Sequence, residues 1–426
     1  MAKKIVILGA GVTGLSCAYH LKREYNIYEK ENEAGGLCRS HEKNGFTFDF
    51  TGHLLHFKTS YGFNLVKSLL RGNLVPHKRN SWIYSNNTYT PYPFQANIHS
   101  LSRNAAKECL IGLVCSKRKQ VSPRNFYDWM IQKFGYGIVK HFMLPYNYKF
   151  WKQHPKNLSC EWLDGMIPLP SLEDSISGAF EQGVKHWGYN WRFWYPSNGG
   201  GISVLPRAFE KKIRAINFNH KVRRIDLKRK MVIFDNSSST KFDYIVSTIP
   251  LPELEKIIYP IPQRVRSAMK KLKYLSIYNL NIGISRNHLK KHWIYFPDKK
   301  DIFYRLGFFS NFSKELAPRG STSIYAEVSY SKNKPLKKKK DLDDKIKRDL
   351  LRSNIVTSKN EIRSSLANDI KYGYIIYDQN YSNARKTILE FLRKAKIFSR
   401  GRFGNWRYFS MEDSILDGKS VAEGLN

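Results

Sequence analysis

Near the start of the chain the apolar positions form a short unbroken run, "KIVILGAG", rich in β-branched residues and closed by glycines. That is the pattern of a parallel strand buried on both faces. The next stretch, "VTGLSCAYHLKREY", spaces its apolar residues at helical intervals, and "YNIYEK" reads as a second strand. Much later, "NHKVRRIDLKRKMVIF" and "FDYIVSTIPLPEL" read as strands returning to the same unit. Between these parts the period changes: residues 97–190 show helical spacing and many aromatics, as in "NFYDWMIQKFGYGIVKHFMLPYNYKFW", and predict an inserted helical region. From 255 to 335, "SIYNLNIGIS", "HWIYF", "FYRLGFFSNF" and "TSIYAEVSYS" alternate with a period of two and predict an antiparallel sheet. "NKPLKKKKDLDDKIKRDLL" opens as a basic linker and becomes an amphipathic helix. Near the end, Ser410 and Asp413 have capping-box spacing ahead of a last helix. The organisation expected is one discontinuous domain (1–96, 191–254 and 396–426), a helical region (97–190) and a sheet domain with a basic linker and helix (255–395).

Composition narrows the class. With 426 residues, 42% of them hydrophobic, the chain is long enough for two or three domains with full cores. Lys and Arg number 72 against 35 acidic residues, a formal charge of +37 that favours anionic partners. The five cysteines form no CxxC pair, so neither a zinc site nor a disulfide framework is indicated, and a reducing cytoplasm is expected. No window holds the ~18 uninterrupted apolar residues of a membrane span. The histidines are scattered without ligand spacing, so no metal site is expected, and no nucleic-acid recognition motif is present. The charge leaves open a peripheral contact with the inner face of a membrane, and a homo-oligomer is also left open.

The glycines between the first strand and helix carry the first chemistry. Gly9 suits a tight turn, Gly11 the close approach of a pyrophosphate and Gly14 the packing of helix on strand, with the helix N-terminus facing the phosphate charge. Glu29 closes the second strand, where a carboxylate accepts hydrogen bonds from an adenosine ribose. A bound dinucleotide is therefore expected. Directly afterwards, "EAGGLCRS" adds Gly35, Gly36 and Arg39. This second glycine turn resembles the amine-oxidase-like and sugar-mutase-like flavoproteins, in which the chain lies along FAD, rather than nicotinamide dehydrogenases. The fold expected is then α/β: a Rossmann-like FAD-binding domain, an inserted helical region and an antiparallel β-sheet substrate domain. Val222 is a candidate backbone contact to adenine. In such flavoproteins the N-terminus of the last helix, here Met411, Glu412 and Asp413, points at the flavin.

Several separated stretches, in order, resemble UDP-galactopyranose mutase of the eukaryotic type: "FTGHLLHF", "PYPFQANI", "LPYNYKFW", "WGYNWRFWYPSNGGG", "FYRLGFFSNFS" and "GRFGNWRY". The resemblance implies a flavin-dependent isomerase for surface-glycan precursor synthesis. Its FAD is active when reduced, by NADPH or NADH. Reduced flavin N5 is then the nucleophile at the anomeric carbon of a UDP-sugar, and a pyranose becomes a furanose with no net redox change. It further implies that Gly52 and His53 lie beside the flavin and that Tyr92, Phe94 and Gln95 hold uracil and its neighbours. Asn147 and Trp151, one helical turn apart, Asn190 and Arg305 line the substrate, Arg305 pairing with the diphosphate. Tyr381 and Tyr408 approach the diphosphate from the C-terminal side. His53 and Arg305 are the catalytic candidates. One position departs: where the family carries a second diphosphate-binding arginine, this chain has Met166. Two other readings stay open, a flavin oxidoreductase of the amine-oxidase or protoporphyrinogen-oxidase kind and a basic flavoprotein that binds polyanions or membranes without catalysis.

Overall fold

Residues 3–116, 122–163, 165–181, 188, 190–286, 289–336 and 338–426 are described by a computed structural model. Strand Ile5–Leu8, buried at every position, lies at the centre of a five-stranded parallel sheet. Its neighbours are Tyr25–Tyr28 on one side and Tyr244–Ser247 on the other, with Ile5 opposite both Tyr25 and Tyr244. Ile216–Asn217 and Ile397–Ser399 form the two edges. Three distant parts of the chain thus build one sheet. The first helix, Val12–His20, packs against the last, Met411–Glu423. Their contact is close because residue 418 is glycine: a Cβ there would overlap the Thr13 carbonyl oxygen, and Ser16 Oγ donates to the Ile415 carbonyl at 2.6 Å.

A four-stranded sheet runs in the order Ser239–Lys241, Met231–Phe234, Val222–Asp226 and Ile258–Tyr259. A seven-stranded sheet has the order Ile362–Ile376, Lys273–Ile284, Thr322–Tyr330, Arg305–Phe308, Trp293–Tyr295, Ser81–Ser85 and Thr88–Pro91. The last two strands, assigned from sequence to the first domain, belong to this sheet instead. They form a tight hairpin through Asn86 and Asn87, both at positive φ (50° and 61°), as a two-residue hairpin turn requires. Only tertiary pairing of Ser81–Ser85 with Trp293–Tyr295 attaches the hairpin here. Helix Tyr381–Lys394, assigned to the sheet domain, sends Ile388 and Leu392 into the core shared with Ile245 and Ile397 of the parallel sheet.

The alternation along Thr322–Tyr330 separates two buried faces rather than an inner and a wet one. Ile324, Ala326 and Val328 pack with Leu342, Ile346 and Leu350 of the amphipathic helix Lys339–Arg352. Tyr325, Glu327 and Ser329 face the other way, toward the groups described below. Lys337, within the lysine run, lies outside the described residues. The helical region contains Arg103–Ser116, Phe126–Ile138, Leu144–Trp151 and Leu172–Phe180. A π-turn over Val139–Met143 precedes Leu144–Trp151, a local unwinding that often accompanies functional sites.

Candidate active site

Each glycine of the first turn has a distinct spatial reason. At Gly9 (φ 102°) a Cβ would overlap Thr248 Oγ1, and at Gly14 it would overlap the Gly9 carbonyl oxygen. At Gly11 it would meet only Gly36 Cα, 4.0 Å away, so the space above the start of the first helix is open. The second turn lies against the first: Gly35 N donates to the Ala10 carbonyl at 2.8 Å, and a Cβ on Gly36 would come within 3.3 Å of Gly11 Cα. Glu29 is buried beside them, accepting from Ala10 N at 2.7 Å and Glu31 N at 3.0 Å. Arg39 fixes the second turn, donating through Nε to the Gly36 carbonyl at 2.8 Å and through Nη1 to Glu33 at 3.2 Å. Val222 opens its strand in a half-buried position, close to Glu29 through the bond from His220 N to the Glu29 carbonyl. An open, side-chain-free cradle at a helix N-terminus, with a buried carboxylate next to it, fits the pyrophosphate and ribose of FAD.

The capping box of the last helix is present. Asp413 N donates to Ser410 Oγ at 3.1 Å and Ser410 N to Asp413 Oδ2 at 2.9 Å. The buried Glu412 carboxylate accepts from Lys58 N (2.6 Å), Thr59 N (3.0 Å) and Thr59 Oγ1 (2.6 Å). The side chains of Glu412 and Asp413 are therefore committed to the protein, and what this helix end offers a cofactor is backbone N–H of Met411 and Glu412. Glu412 also ties the helix to the loop carrying Gly52 and His53. Gly52 is glycine because a Cβ would overlap the Tyr325 hydroxyl.

His53 Nδ1 lies 3.2 Å from the Thr51 carbonyl, which assigns the proton to that nitrogen and leaves Nε2 as an acceptor. Burial, and then the Arg402 charge, push its pKa down to about 4, so the ring is neutral at pH 7. Its surface is only partly covered, yet protein surrounds it, as expected of a side chain facing an internal space. Arg305 forms a two-pronged pair with the buried Glu327, Nε to Oε2 at 2.6 Å and Nη2 to Oε1 at 2.9 Å, and Thr51 Oγ1 donates to the same carboxylate. Burial alone would raise the Glu327 pKa, but Arg305 outweighs it and holds it below the usual range. Burial likewise opposes the Arg305 charge, and Glu327 together with Tyr374, Tyr304 and Tyr325 more than offsets this.

Beyond this pair opens a cleft between the helical region and the seven-stranded sheet, with room of about 210 Å³. Tyr92, Gln95, Asn147, Trp151, Arg305 and Tyr408 line it, six of the substrate candidates read from sequence. Gln95 donates to the Pro168 carbonyl at 2.6 Å, and Asn147 Nδ2 to the Met143 carbonyl at 2.8 Å. Three candidates are not among the lining residues. Phe94 is buried behind the wall, stacked on Phe142 with ring centres 5.0 Å apart. Asn190 stands one layer back, accepting from Arg79, whose guanidinium covers the Tyr92 ring at 4.3 Å; part of the stretch before it, 182–187 and Tyr189, lies outside the described residues. Tyr381 begins a helix and points into its core, its hydroxyl donating to the Trp406 carbonyl at 2.6 Å. Tyr377 takes the place expected for it, lining the cleft while its hydroxyl accepts from Tyr408 N at 2.7 Å.

Met166 also lines the cleft and brings no charge there. Tyr146, Tyr295, Tyr374 and Tyr377 were not singled out from sequence, and neither were Glu327 and Arg402. Glu327 had a signal, being the one carboxylate within the apolar run "SIYAEVSY". The tyrosines had none in so tyrosine-rich a chain, since 26 are spread along it.

A parallel sheet with paired glycine turns at the head of its first helix, joined to a seven-stranded sheet that floors an aromatic cleft and is antiparallel as expected except where Trp293–Tyr295 pairs parallel with Ser81–Ser85, defines a flavin-binding protein of two layered parts. The sequence profile of flavin-containing amine oxidoreductases matches residues 12–357, and the chain belongs to that family. Within it the chain is UDP-galactopyranose mutase-like: it superimposes on the reduced form of that enzyme with a TM-score of 0.94 at 31% identity, over 100% of this chain and 94% of the other. Among curated proteins, 4,4′-diaponeurosporene oxygenase of Staphylococcus aureus is 22% identical over 340 residues, 72% of this chain and 68% of that one. Coproporphyrinogen III oxidase of the same species is 31% identical over 100 residues, 22% of each chain. No helix among the described residues is long and apolar enough to cross a membrane.

Proposed function

We propose that this chain is an FAD-dependent nucleotide-sugar mutase, interconverting the pyranose and furanose forms of a UDP-hexose of the galactose type. The observation that carries the reading is the convergence of Tyr92, Gln95, Asn147, Trp151, Arg305 and Tyr408 on one cleft, in a chain superimposing over its full length on a mutase. Bound and reduced, the flavin supplies a nitrogen nucleophile for the anomeric carbon. The protein's own share is positioning and electrostatics. Gly11, Gly35 and Gly36 receive the pyrophosphate and Glu29 the ribose. His53, neutral and oriented by the Thr51 carbonyl, keeps Nε2 as a proton acceptor toward the reacting groups. Arg305, held by Glu327, offers its remaining N–H edge to the substrate diphosphate, with the Tyr408 hydroxyl beside it. The test is chromatography of products formed from UDP-galactose by dithionite-reduced enzyme. Furanose formed without consumption of reductant supports the reading; none formed by enzyme with bound, reduced flavin sinks it.

A second reading, a flavin oxidoreductase, is favoured by one observation. Among the described residues that line the cleft Arg305 is the only arginine, its charge is already balanced by Glu327, and Met166 is apolar. A doubly charged diphosphate gains ~1.5–3 kcal/mol from each charge-assisted hydrogen bond, so a second guanidinium is missed. The family and the relatives named above, an oxygenase and an oxidase, agree with redox chemistry. Oxygen uptake in step with substrate loss is its signature.

A further inference from the structure

The four-stranded sheet contributes nothing to the aromatic cleft, yet it and the helix that follows hold a dense positive charge. Residues 221–273 contain thirteen Lys or Arg against five Asp or Glu. All five carboxylates are engaged: Asp226 with Arg224 and the backbone of Lys228 and Arg229, Asp235 with Lys221, Asp243 with Lys4 N, Glu253 with Lys371, and Glu255 with Lys270. Arg223, Lys228, Arg229, Lys230, Arg264 and Lys271 are exposed and form no ion pair among the described residues.

These cations surround an apolar tip. Tyr259, Pro260, Ile261 and Pro262 join the edge strand Ile258–Tyr259 to helix Gln263–Lys271; Tyr259 is 53% exposed, and both prolines are exposed. The Arg224 guanidinium lies over the Tyr259 ring at 4.2 Å. Leu227 N donates to the Tyr259 carbonyl at 2.8 Å, which brings the turn Lys228–Arg229–Lys230 to one side of the tip, while Arg264 follows it on the other. Tyrosine favours the boundary between headgroups and hydrocarbon, and unpaired cations beside an anionic bilayer each contribute attraction within a Debye length.

We infer that this face docks the protein on a membrane surface rich in anionic lipid headgroups, with Tyr259 and its prolines at headgroup depth and the surrounding cations on the lipid phosphates and carboxylates. The test is co-sedimentation of the FAD-loaded full chain with phosphatidylcholine vesicles with and without phosphatidylserine. Binding is expected only with phosphatidylserine, reversed by salt. The combined variant R223E, K228E, R229E and R264E should bind on the order of a hundredfold more weakly. Tyr259→Ser, with net charge unchanged, should lose roughly tenfold. Flavin absorbance is read on every variant to show that it is folded. Wild-type protein that ignores phosphatidylserine, or binding indifferent to the charge variant or to Tyr259→Ser, overturns the inference. So does a tighter grip on a single-stranded oligonucleotide, which would give the face to nucleic acid.

Discussion

Arg305 and Glu327 are adjacent across two paired strands, and each makes the other's burial tolerable. Arg305→Ala is expected to raise the dissociation constant for UDP by roughly 10- to 100-fold, the loss of one charge-assisted contact, while flavin content stays unchanged. Titration of the flavin spectrum with UDP checks this, and an unaltered affinity removes Arg305 from the substrate site. Glu327→Gln leaves a guanidinium without its counter-charge and is expected to cost about 3 kcal/mol of stability, read from urea unfolding. Met166→Arg separates the two functional readings: under the mutase reading it tightens UDP binding. Individual side chains were legible from sequence where a local motif names the role, as at Gly9, Gly11, Glu29 and Arg305. Tyr377 was not, because Tyr377 and Tyr381 stand four residues apart, and only the start of a helix at Tyr381 decides which ring reaches the cleft.

The first and last helices act as a unit, since the start of each is expected to face the cofactor and Gly418 lets them touch. Gly418→Val would press two methyl groups on the Thr13 carbonyl and Ser16, at a cost of about 1–3 kcal/mol. The expected outcome is lower Tm together with loss of bound FAD, measured by absorbance of the purified protein; a variant as yellow as wild type would show that the pair does not set the cradle. Both helices were readable from sequence, one by apolar spacing and the other by its capping box. The hairpin Ser81–Pro91 was different: its turn is local and legible, but its partner strand lies more than two hundred residues away, and strand pairing leaves little trace in either sequence. Alternation in Thr322–Tyr330 was also legible, whereas the covering of its second face by helix Lys339–Arg352 was not.

Across the whole molecule, buried histidines set the response to acid. Burial holds His53 and His56 down to about 4 and His292 to about 3, all below their ordinary value of 6.5. The unfolded chain therefore binds more protons than the folded one from about pH 6.5 downward, and the stability present above that pH is lost as pH falls toward 4. Asp49, raised to about 6 by burial, acts in the opposite sense, gaining as pH falls through 6, but it is one group against three. Thermal unfolding is expected to show Tm falling by several degrees or more between pH 7 and pH 5; a flat profile would contradict neutral buried imidazoles. The glycine cradle, the alternation of strands and helices and the cap of the last helix depend on neighbours within about thirty residues, so the amino-acid order alone determined them. The closure of the cleft, the burial of Phe94 behind its wall and the neutrality of His53 arise where segments distant along the chain meet, while the pairing of Arg305 with Glu327, only 22 residues apart, is set by the register of two strands and the turning of Tyr381 away from the cleft by the docking of its helix. Burial and Coulomb interactions depend on distance in space, and only the folded chain decides that distance.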